Sequence, residues 1–371
     1  NTTMIQEIKA QNFKSFKDEI TLSFEATRDE MFEDYQVVEV APGMRLLRFA
    51  LVYGANASGK SNLLEIIDFL RMFWFNKPAD LDEPTGTIPF QLDRNTPDQP
   101  SRFEIKFYVG STRYWYVLEL DERRVYAEKL YYYRSAQPTM LFSREWREGQ
   151  SVIGINSTVM RVSRAAQEEI SLRCLPNMSF FAARNQVNIA IPEIDAAKDW
   201  MRERILPTIT PDAQMFLYAS ERMAKDAKLR DYMLDFVHRA DFNITGVKSD
   251  IVRRQMTPEL VNYLMANENI PASEKDRLMK DKSFETIETT FEHTVRNERG
   301  EEKYNLPTEL QSVGTRRTIG VEAAIYSALE SEAFLHIDEV EASLHPELVE
   351  FILQRFLSTK NRSQLLVTTH Y

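Results

Sequence analysis

Residues 54–61 read Gly54-Ala55-Asn56-Ala57-Ser58-Gly59-Lys60-Ser61, the G-x-x-x-x-G-K-S pattern of a phosphate-binding P-loop. Residues 46–53 before it are apolar and predict a buried strand. Residues 60–75 after it carry apolar side chains at helical spacing. A strand, a glycine loop and a helix are the context that the pattern requires, because N–H groups of the loop and helix then point at anionic oxygens. The stretch therefore predicts a nucleotide site in an α/β domain.

The residue types of the loop assign the contacts to a nucleotide. Lys60 is predicted to reach the β and γ phosphates, and the Ser61 hydroxyl is predicted to ligate Mg²⁺. The predicted ligands are accordingly ATP and Mg²⁺. The other residues predicted to contact the nucleotide here are Gly54, Asn56, Ala57, Ser58, Gly59 and Asn62.

The overall composition limits the class of protein. The formal net charge is −10, so the surface as a whole does not attract nucleic acid, although a local basic groove would still permit DNA binding. A single cysteine, Cys174, excludes an internal disulfide and fits a reducing compartment. No apolar run approaches the length of a membrane span and no secretory leader is visible, so a cytoplasmic location without a membrane is expected.

Alternating apolar and polar residues predict an antiparallel β meander at about residues 101–145. Its aromatic side chains are consistent with a base-stacking platform, but cross-strand pairing within a half-buried sheet explains them more simply. A strand is predicted at residues 179–183, between helices at 163–173 and 194–205. Residues 211–282 are predicted to be a mainly helical insert with one strand at 244–252.

The last forty residues or so supply the acids that a P-loop site needs. Residues 333–337 predict a buried strand that ends in Asp338-Glu339. The first acid is expected to hold Mg²⁺, and the second to orient or deprotonate the attacking water, although a helix-capping acid is the alternative. Residues 364–369 predict a further buried strand that ends in His370, where a histidine is well placed to sense the γ-phosphate.

Taken in order, these motifs resemble the ABC-type AAA ATPases of the SMC, RecF and OLD group. They look closest to the stand-alone ATPases of abortive-infection and anti-phage defence systems. The asparagine at the third P-loop position is the group's form, and residues 8–16 (I-K-A-Q-N-F-K-S-F) are similar to its opening strand and loop. Residues 312–316 (S-V-G-T-R) look like a variant of the ABC signature at a helix N-terminus, and residues 341–346 (E-A-S-L-H-P) look like the D-loop.

The resemblance implies an α/β ABC-ATPase head of the SMC/RecF type, with a P-loop parallel-sheet core, an antiparallel β meander and a helical insert. The implied head comprises residues 1–210 and 283–371. The resemblance also implies that Lys14 and Ser15 lie near the nucleotide. The signature departs from transporter ATPases because it lacks their second glycine and glutamine, and no Q-loop is evident. Gln91 is the candidate for the Q-loop contact to the metal.

The resemblance further implies how the site works. Each copy binds ATP on its P-loop, and Ser312, Gly314 and Thr315 of a second copy close over the γ-phosphate in a dimer or a higher assembly. Glu339, His370 and Lys60 are the implied catalytic residues. Turnover would switch a nuclease-like effector protein in anti-phage defence.

Three other functions remain open at this point. A RecF- or SMC-like DNA-binding repair ATPase is the main alternative, although the insert is too short for an SMC arm and the charge is acidic. A transporter's nucleotide-binding subunit does not suit the long interval between Lys60 and Asp338. A metabolic P-loop kinase leaves the signature and His370 unexplained.

Overall fold

The computed structural model describes residues 3–31, 33–55, 59–240, 243–342 and 344–370. The chain divides into two compact units. The first consists of Asn1–Pro211, Ser327–Ala342 and Ile352–Tyr371, and the second of Asp212–Tyr326 and Ser343–Phe351.

The elements follow one another along the chain as a mixture of strands and helices. The strands are β1 (Thr3–Gln11), β2 (Ile20–Ser23), β3 (Val37–Ala41), β4 (Met44–Leu47), β5 (Phe49–Tyr53), β6 (Ser101–Val109), β7 (Thr112–Leu120), β8 (Val125–Tyr133), β9 (Pro138–Arg147), β10 (Gln150–Ile155), β11 (Ile244–Gln255), β12 (Ser283–Asn297), β13 (Gly300–Pro307), β14 (Phe334–Ile337) and β15 (Gln364–Thr369). The α-helices are α1 (Glu33–Gln36), α2 (Lys60–Phe73), α3 (Arg164–Arg173), α4 (Phe180–Arg184), α5 (Pro192–Glu203), α6 (Met215–Lys225), α7 (Ala227–Arg239), α8 (Pro258–Ala266), α9 (Ala272–Asp281), α10 (Val313–Ser331) and α11 (Pro346–Ser358).

The first unit contains a seven-stranded antiparallel sheet in the order β10-β9-β8-β7-β6-β1-β2. Strands β6 to β9 confirm the predicted meander, and β10 extends it by one strand. The turn between β6 and β7 uses Gly110 at φ +61°, a left-handed conformation that glycine adopts without steric cost. The two N-terminal strands, β1 and β2, complete the same sheet.

Cross-strand pairing accounts for the aromatic side chains of the meander. Trp115 lies opposite Tyr131 in the register of β7 and β8, and the two rings stack with centroids 4.7 Å apart. The Lys106 ammonium lies 5.5 Å from the centroid of the Trp115 ring. Trp115 is thus engaged by its neighbours within the sheet.

Helix α2 packs on this sheet and forms the centre of the core. Its buried face includes Leu64, Phe69 and Phe73. Phe69 contacts Phe13 and Phe103, with ring centroids 5.7 and 5.1 Å apart. Burying a side chain of this size stabilises the fold by about 1.5–3 kcal/mol, so the helix that follows the P-loop is held firmly against the sheet.

The predicted parallel sheet is present, in the order β14-β15-β5. Residues 204–209 extend it beyond β14, because the N–H of Leu206 donates to the carbonyl of Phe334 and the N–H of Ile209 to that of His336. Parallel strands end at the same edge of a sheet, so the residues that follow β5, β14 and β15 meet there. These are the P-loop, Asp338-Glu339 and His370.

The strand predicted at residues 179–183 is wrong, since these residues form the short helix α4. The Ser179 hydroxyl accepts a hydrogen bond from the N–H of Phe181 and caps the helix. The run Phe-Phe-Ala-Ala is buried on all sides. A short, uniformly apolar run fits a buried strand and a buried helix equally well, so its periodicity could not separate the two.

The second unit combines helices with a three-stranded antiparallel sheet, β11-β12-β13. Helices α6 and α7 pack on it, with the rings of Phe216 and Phe291 5.9 Å apart. The unit continues past the predicted boundary at residue 282, because β11 pairs with β12 along the whole length of β11, from Ile244 opposite His293 to Gln255 opposite Ser283. No helix within the described ranges is long and apolar enough to cross a membrane.

Candidate functional site

The P-loop begins where β5 ends and leads directly into α2. Gly59, at φ +84°, is the residue before the helix. A Cβ atom at this position would lie 2.8 Å from the Ser15 hydroxyl, closer than such atoms approach, so Ser15 would have to shift. Glycine is therefore favoured both by the backbone conformation and by the close approach of Ser15. The predicted contacts at Asn56, Ala57 and Ser58 lie outside the described residues.

The Lys60 side chain is buried and curls back over the loop. Its ammonium donates to the carbonyl oxygen of Ala55 at 2.9 Å and also to that of Gly54. An ammonium group surrounded by neutral carbonyl dipoles can exchange them for phosphate oxygens, which carry full charge. Ser61, on the first turn of α2, has an exposed side chain and Asn62 a half-buried one. The residues of the loop that are described thus fit a polyphosphate and its metal ion.

Asp338 and Glu339 follow β14 at the same edge of the sheet. Asp338 is largely buried, and its Oδ1 atom accepts a hydrogen bond of 2.6 Å from the Thr368 hydroxyl on β15. The Glu339 N–H donates to the same hydroxyl at 2.8 Å. The backbone of Glu339 adopts φ +47°, a conformation that residues other than glycine rarely take.

His370 is held at two points by carboxylates. Its ring Nε2 atom lies 2.7 Å from Oε1 of Glu339, and its backbone N–H donates to Oε1 of Glu341 at 2.8 Å. About a third of each of the two paired side chains, His370 and Glu339, is open to solvent. The pair is therefore accessible to a substrate at the edge of the sheet.

Lys14 and Ser15 lie in the turn between β1 and β2. Lys14, at φ +48°, forms an ion pair with Glu65 on α2, and Ser15 lies against Gly59 as described above. The structure thus brings this turn against the P-loop and its helix. That Lys14 and Ser15 lie near a nucleotide stays a prediction.

Gln91 lies in the connection between α2 and β6. Its side chain is exposed, and its amide donates to the carbonyl of Pro89, two residues away. The loop that carries it is fastened by Asn12, whose Oδ1 accepts from the N–H of Phe90 at 2.9 Å and whose Nδ2 donates to the carbonyl of Thr96 at 2.9 Å. In this arrangement the loop is attached to the turn beside the P-loop, while the Gln91 side chain contacts its own loop.

A buried link joins α2 to β14. His336, which is fully buried, lies with Nε2 3.2 Å from Oδ1 of Asp68, and the N–H of Thr208 donates to the same oxygen at 3.2 Å. Burial would raise the pKa of Asp68, but the hydrogen bond from His336 and the one from the Thr208 backbone outweigh it, so the pKa lies below its usual value. The P-loop helix and the strand that precedes Asp338 are thereby connected by side chains.

The signature residues belong to the second unit. The Ser312 hydroxyl accepts from the N–H of Thr315 at 3.0 Å and so caps α10. The Thr318 hydroxyl donates to the carbonyl of Gly314 at 2.7 Å. Ser312 and Val313 are exposed. The N-terminus of a 19-residue helix is therefore open to solvent here, an arrangement that suits an anion.

Sequence reasoning missed Thr368, Glu341 and the Asp68–His336 link. The motif pattern highlights residues that touch a nucleotide, whereas these residues act on other side chains. For Thr368 a partial signal was available, since residues two apart along a strand share one face of the sheet, which puts this hydroxyl on the same face as the residue at position 370. Among the described residues, no group of three or more histidine, cysteine, aspartate or glutamate side chains forms a metal site. The predicted magnesium site is of a different kind, with the Ser61 hydroxyl, the Asp338 carboxylate and the Gln91 amide as its candidate ligands, and it stays a prediction.

A strand, a P-loop and a helix, with an Asp-Glu pair that follows another strand of the same parallel sheet, define a P-loop domain of the ATPase class. The family described as "AAA domain, putative AbiEii toxin, Type IV TA system" matches residues 49–156 and 226–370, and the chain belongs to it. This membership confirms the predicted AAA class.

Several solved structures are similar to the chain at low identity. The SMC head domain from Thermotoga maritima is 14% identical, with a TM-score of 0.42 and coverage of 99% of this chain and 89% of that one. An Smc head with an extended coiled coil, bound to the C-terminal domain of ScpA derived from Pyrococcus furiosus, is 12% identical, with a TM-score of 0.38 and coverage of 100% and 90%. No curated protein sequence matches the chain.

Proposed function

We propose that this chain is a cytoplasmic ATPase that binds and hydrolyses ATP at composite sites between two copies of itself, and that the cycle switches a partner effector in anti-phage defence. The observation that carries the proposal is the convergence of Lys60, Asp338, Glu339 and His370 at one edge of the parallel sheet. Family membership supports the ATPase activity.

Each residue at this edge has a role that its chemistry suits. Lys60 and the N–H groups at the start of α2 bind the β and γ phosphates, and Lys14 and Ser15 border the nucleotide. Ser61 and Asp338 would hold Mg²⁺, which neutralises the charge that develops on the phosphate oxygens. Glu339 accepts a proton from the attacking water, and His370 donates a hydrogen bond to the γ-phosphate.

The contact between His370 and Glu339 determines the order of these events. While the ring nitrogen bonds the carboxylate at 2.7 Å, the base is engaged. When the ring turns to a phosphate oxygen, it releases Glu339 to orient and deprotonate water. Binding of substrate would in this way free the base at the moment it is needed.

The site is completed by a second copy. Ser312, Gly314 and Thr315 lie at the exposed start of α10 and would bind the γ-phosphate of that copy, exchanging the hydrogen bonds between Ser312 and Thr315 for phosphate oxygens. The assembly is a dimer or a multiple of dimers, formed with ATP and opened by hydrolysis. A nuclease-like effector protein is the proposed partner, and the family's description as a putative AbiEii toxin supports a defence role.

The test is ATP turnover by the purified protein and by Lys60→Ala. We expect magnesium-dependent release of phosphate by the wild type and a loss of at least a hundredfold in the variant, because the lysine stabilises charge on the transferred group. Lys228→Ala, which changes an exposed lysine on α7, serves as the control. Equal turnover by Lys60→Ala and the wild type would refute the site.

A further inference from the structure

The Thr368 hydroxyl lies between the two acidic residues of the site. Thr368 is fully buried on β15, the middle strand of the β14-β15-β5 sheet. Its Oγ1 atom is 2.6 Å from Oδ1 of Asp338 and 2.8 Å from the backbone nitrogen of Glu339. One side chain therefore contacts both acids, from a strand that contains neither.

The directions of the two hydrogen bonds are fixed by chemistry. The Glu339 N–H can only donate, so the hydroxyl oxygen accepts from it. The single hydroxyl proton is then free to donate to the Asp338 carboxylate. A bond of 2.6 Å to an ionised oxygen is a strong, charge-assisted one. It fixes the rotation of the Asp338 carboxylate, and with it the direction in which the other oxygen is presented.

Thr368 also supports the unusual backbone of Glu339. The left-handed conformation at φ +47° costs a residue with a side chain about 1–2 kcal/mol. Thr368 holds the turn twice, since its hydroxyl accepts from the N–H of Glu339 and its carbonyl accepts from the N–H of Val340 at 3.0 Å. This conformation directs the Glu339 side chain to His370, which lies two residues after Thr368, directly after the end of β15.

We propose that Thr368 is a positioning residue that sets both the metal-binding carboxylate of Asp338 and the proton-accepting carboxylate of Glu339. The inference rests on the proposed function of these two acids. A hydroxyl on a buried strand commonly bonds a backbone group of its own segment. Here both partners belong to the turn after the neighbouring strand, and one of them is a carboxylate of the site.

The test compares three variants with the wild type. Thr368→Val removes the hydroxyl and conserves the shape, and Thr368→Ser retains the hydroxyl. Thr3→Val is a matched control, because Thr3 is buried on β1 and its hydroxyl has no hydrogen-bond partner among the described residues. Thermal unfolding of each variant establishes that it is folded before the functional measurements.

Two readouts separate positioning from a structural role. We expect Thr368→Val to lower kcat about 10- to 100-fold, the range found when a group that orients a metal ligand is removed. ATP binding is also measured by calorimetry at a series of Mg²⁺ concentrations. We expect the Mg²⁺ concentration that gives half of the full effect on ATP binding to rise by a similar factor in Thr368→Val, while ATP binding without metal is unchanged. Thr368→Ser should stay within about threefold of the wild type, and Thr3→Val should match it.

Several outcomes would overturn the inference. One is that Thr368→Val keeps the wild-type kcat and the wild-type dependence of ATP binding on Mg²⁺. Another is that Thr368→Ser loses as much kcat as Thr368→Val does. A third is that the control Thr3→Val loses the same amount of kcat. If Thr368→Val does not fold, the serine variant decides, since an impaired and folded Thr368→Ser contradicts the proposal. If the wild type does not hydrolyse ATP, the proposed function fails, and the magnesium dependence of binding still tests Thr368.

Discussion

The Nε2 atom of His370 lies 2.7 Å from Oε1 of Glu339, so two residues that follow different strands, β15 and β14, form a direct pair. If this pair controls the catalytic base, His370→Ala should lower kcat about 100- to 1,000-fold, as expected when a hydrogen bond that stabilises the transition state is lost. The dissociation constant for ATP should change by no more than a few fold, because Lys60 and the loop are intact. Steady-state kinetics and equilibrium ATP binding measure the two quantities.

The control for this prediction is His238→Ala, which removes an exposed histidine near the end of α7. It should behave as the wild type does. A kcat for His370→Ala within twofold of the wild-type value would show that the histidine does not act on the reaction.

Gly59→Ala should abolish ATP binding while leaving most of the fold's stability in place. The new methyl group would meet the Ser15 hydroxyl at 2.8 Å and disfavour φ +84°. Gly149→Ala is the matched control, because Gly149 has φ +80° but nothing within 4 Å of the added atom. Both variants should lose about 1 kcal/mol of unfolding free energy from the backbone. In equilibrium titrations, loss of ATP binding is expected for Gly59→Ala alone; equal ATP affinities in the two variants would contradict the close approach.

Asp68 should contribute stability that depends on pH. Its pKa is lower in the folded protein than its usual value of 3.8, despite burial, because His336 and the Thr208 backbone hydrogen-bond the ionised form. The contribution is therefore fully present above pH of about 4 and is lost as the pH falls through the lower, folded-state pKa. We expect Asp68→Asn to cost about 1 kcal/mol at neutral pH, since hydrogen bonds to a partly exposed carboxylate are weakened by solvent.

Urea unfolding of the wild type and Asp68→Asn between pH 3 and pH 7 measures this difference. The difference in unfolding free energy between the wild type and Asp68→Asn should be constant from pH 7 to about pH 5 and should become smaller below pH 4. Asp199→Asn on α5, where the side chain is 61% exposed, provides the comparison and should show a smaller gap. A gap for Asp68→Asn that widens as the pH falls would mean that the carboxyl is not stabilised in its ionised form.

The sequence was sufficient to predict the strands of the parallel sheet that lead to the site. The apolar runs before Gly54 and Asp338 predicted the strands β5 and β14, because each run leads into a motif with a defined chemistry. β14 is buried as predicted, but the prediction of a buried strand before Gly54 was wrong, because β5 is the last strand of the β14-β15-β5 order and Leu51 and Tyr53 are exposed. It was insufficient where a contact depends on register. Residues 204–209 extend the parallel sheet, although Pro207 interrupts the apolar run and argues against a strand inside a sheet. The role of Thr368 and the left-handed backbone of Glu339 depend on which strands are neighbours, which periodicity does not specify.

The central claim is that one copy carries only part of the ATP site. The most direct measurement is the mass in solution of Glu339→Gln, with and without ATP and Mg²⁺, by light scattering. Because this variant should bind ATP without hydrolysing it, we predict that ATP increases the mass to twice that of the nucleotide-free form or a larger even multiple, and that adding Lys60→Ala abolishes the increase. An unchanged mass at an ATP concentration that saturates binding would contradict the composite site.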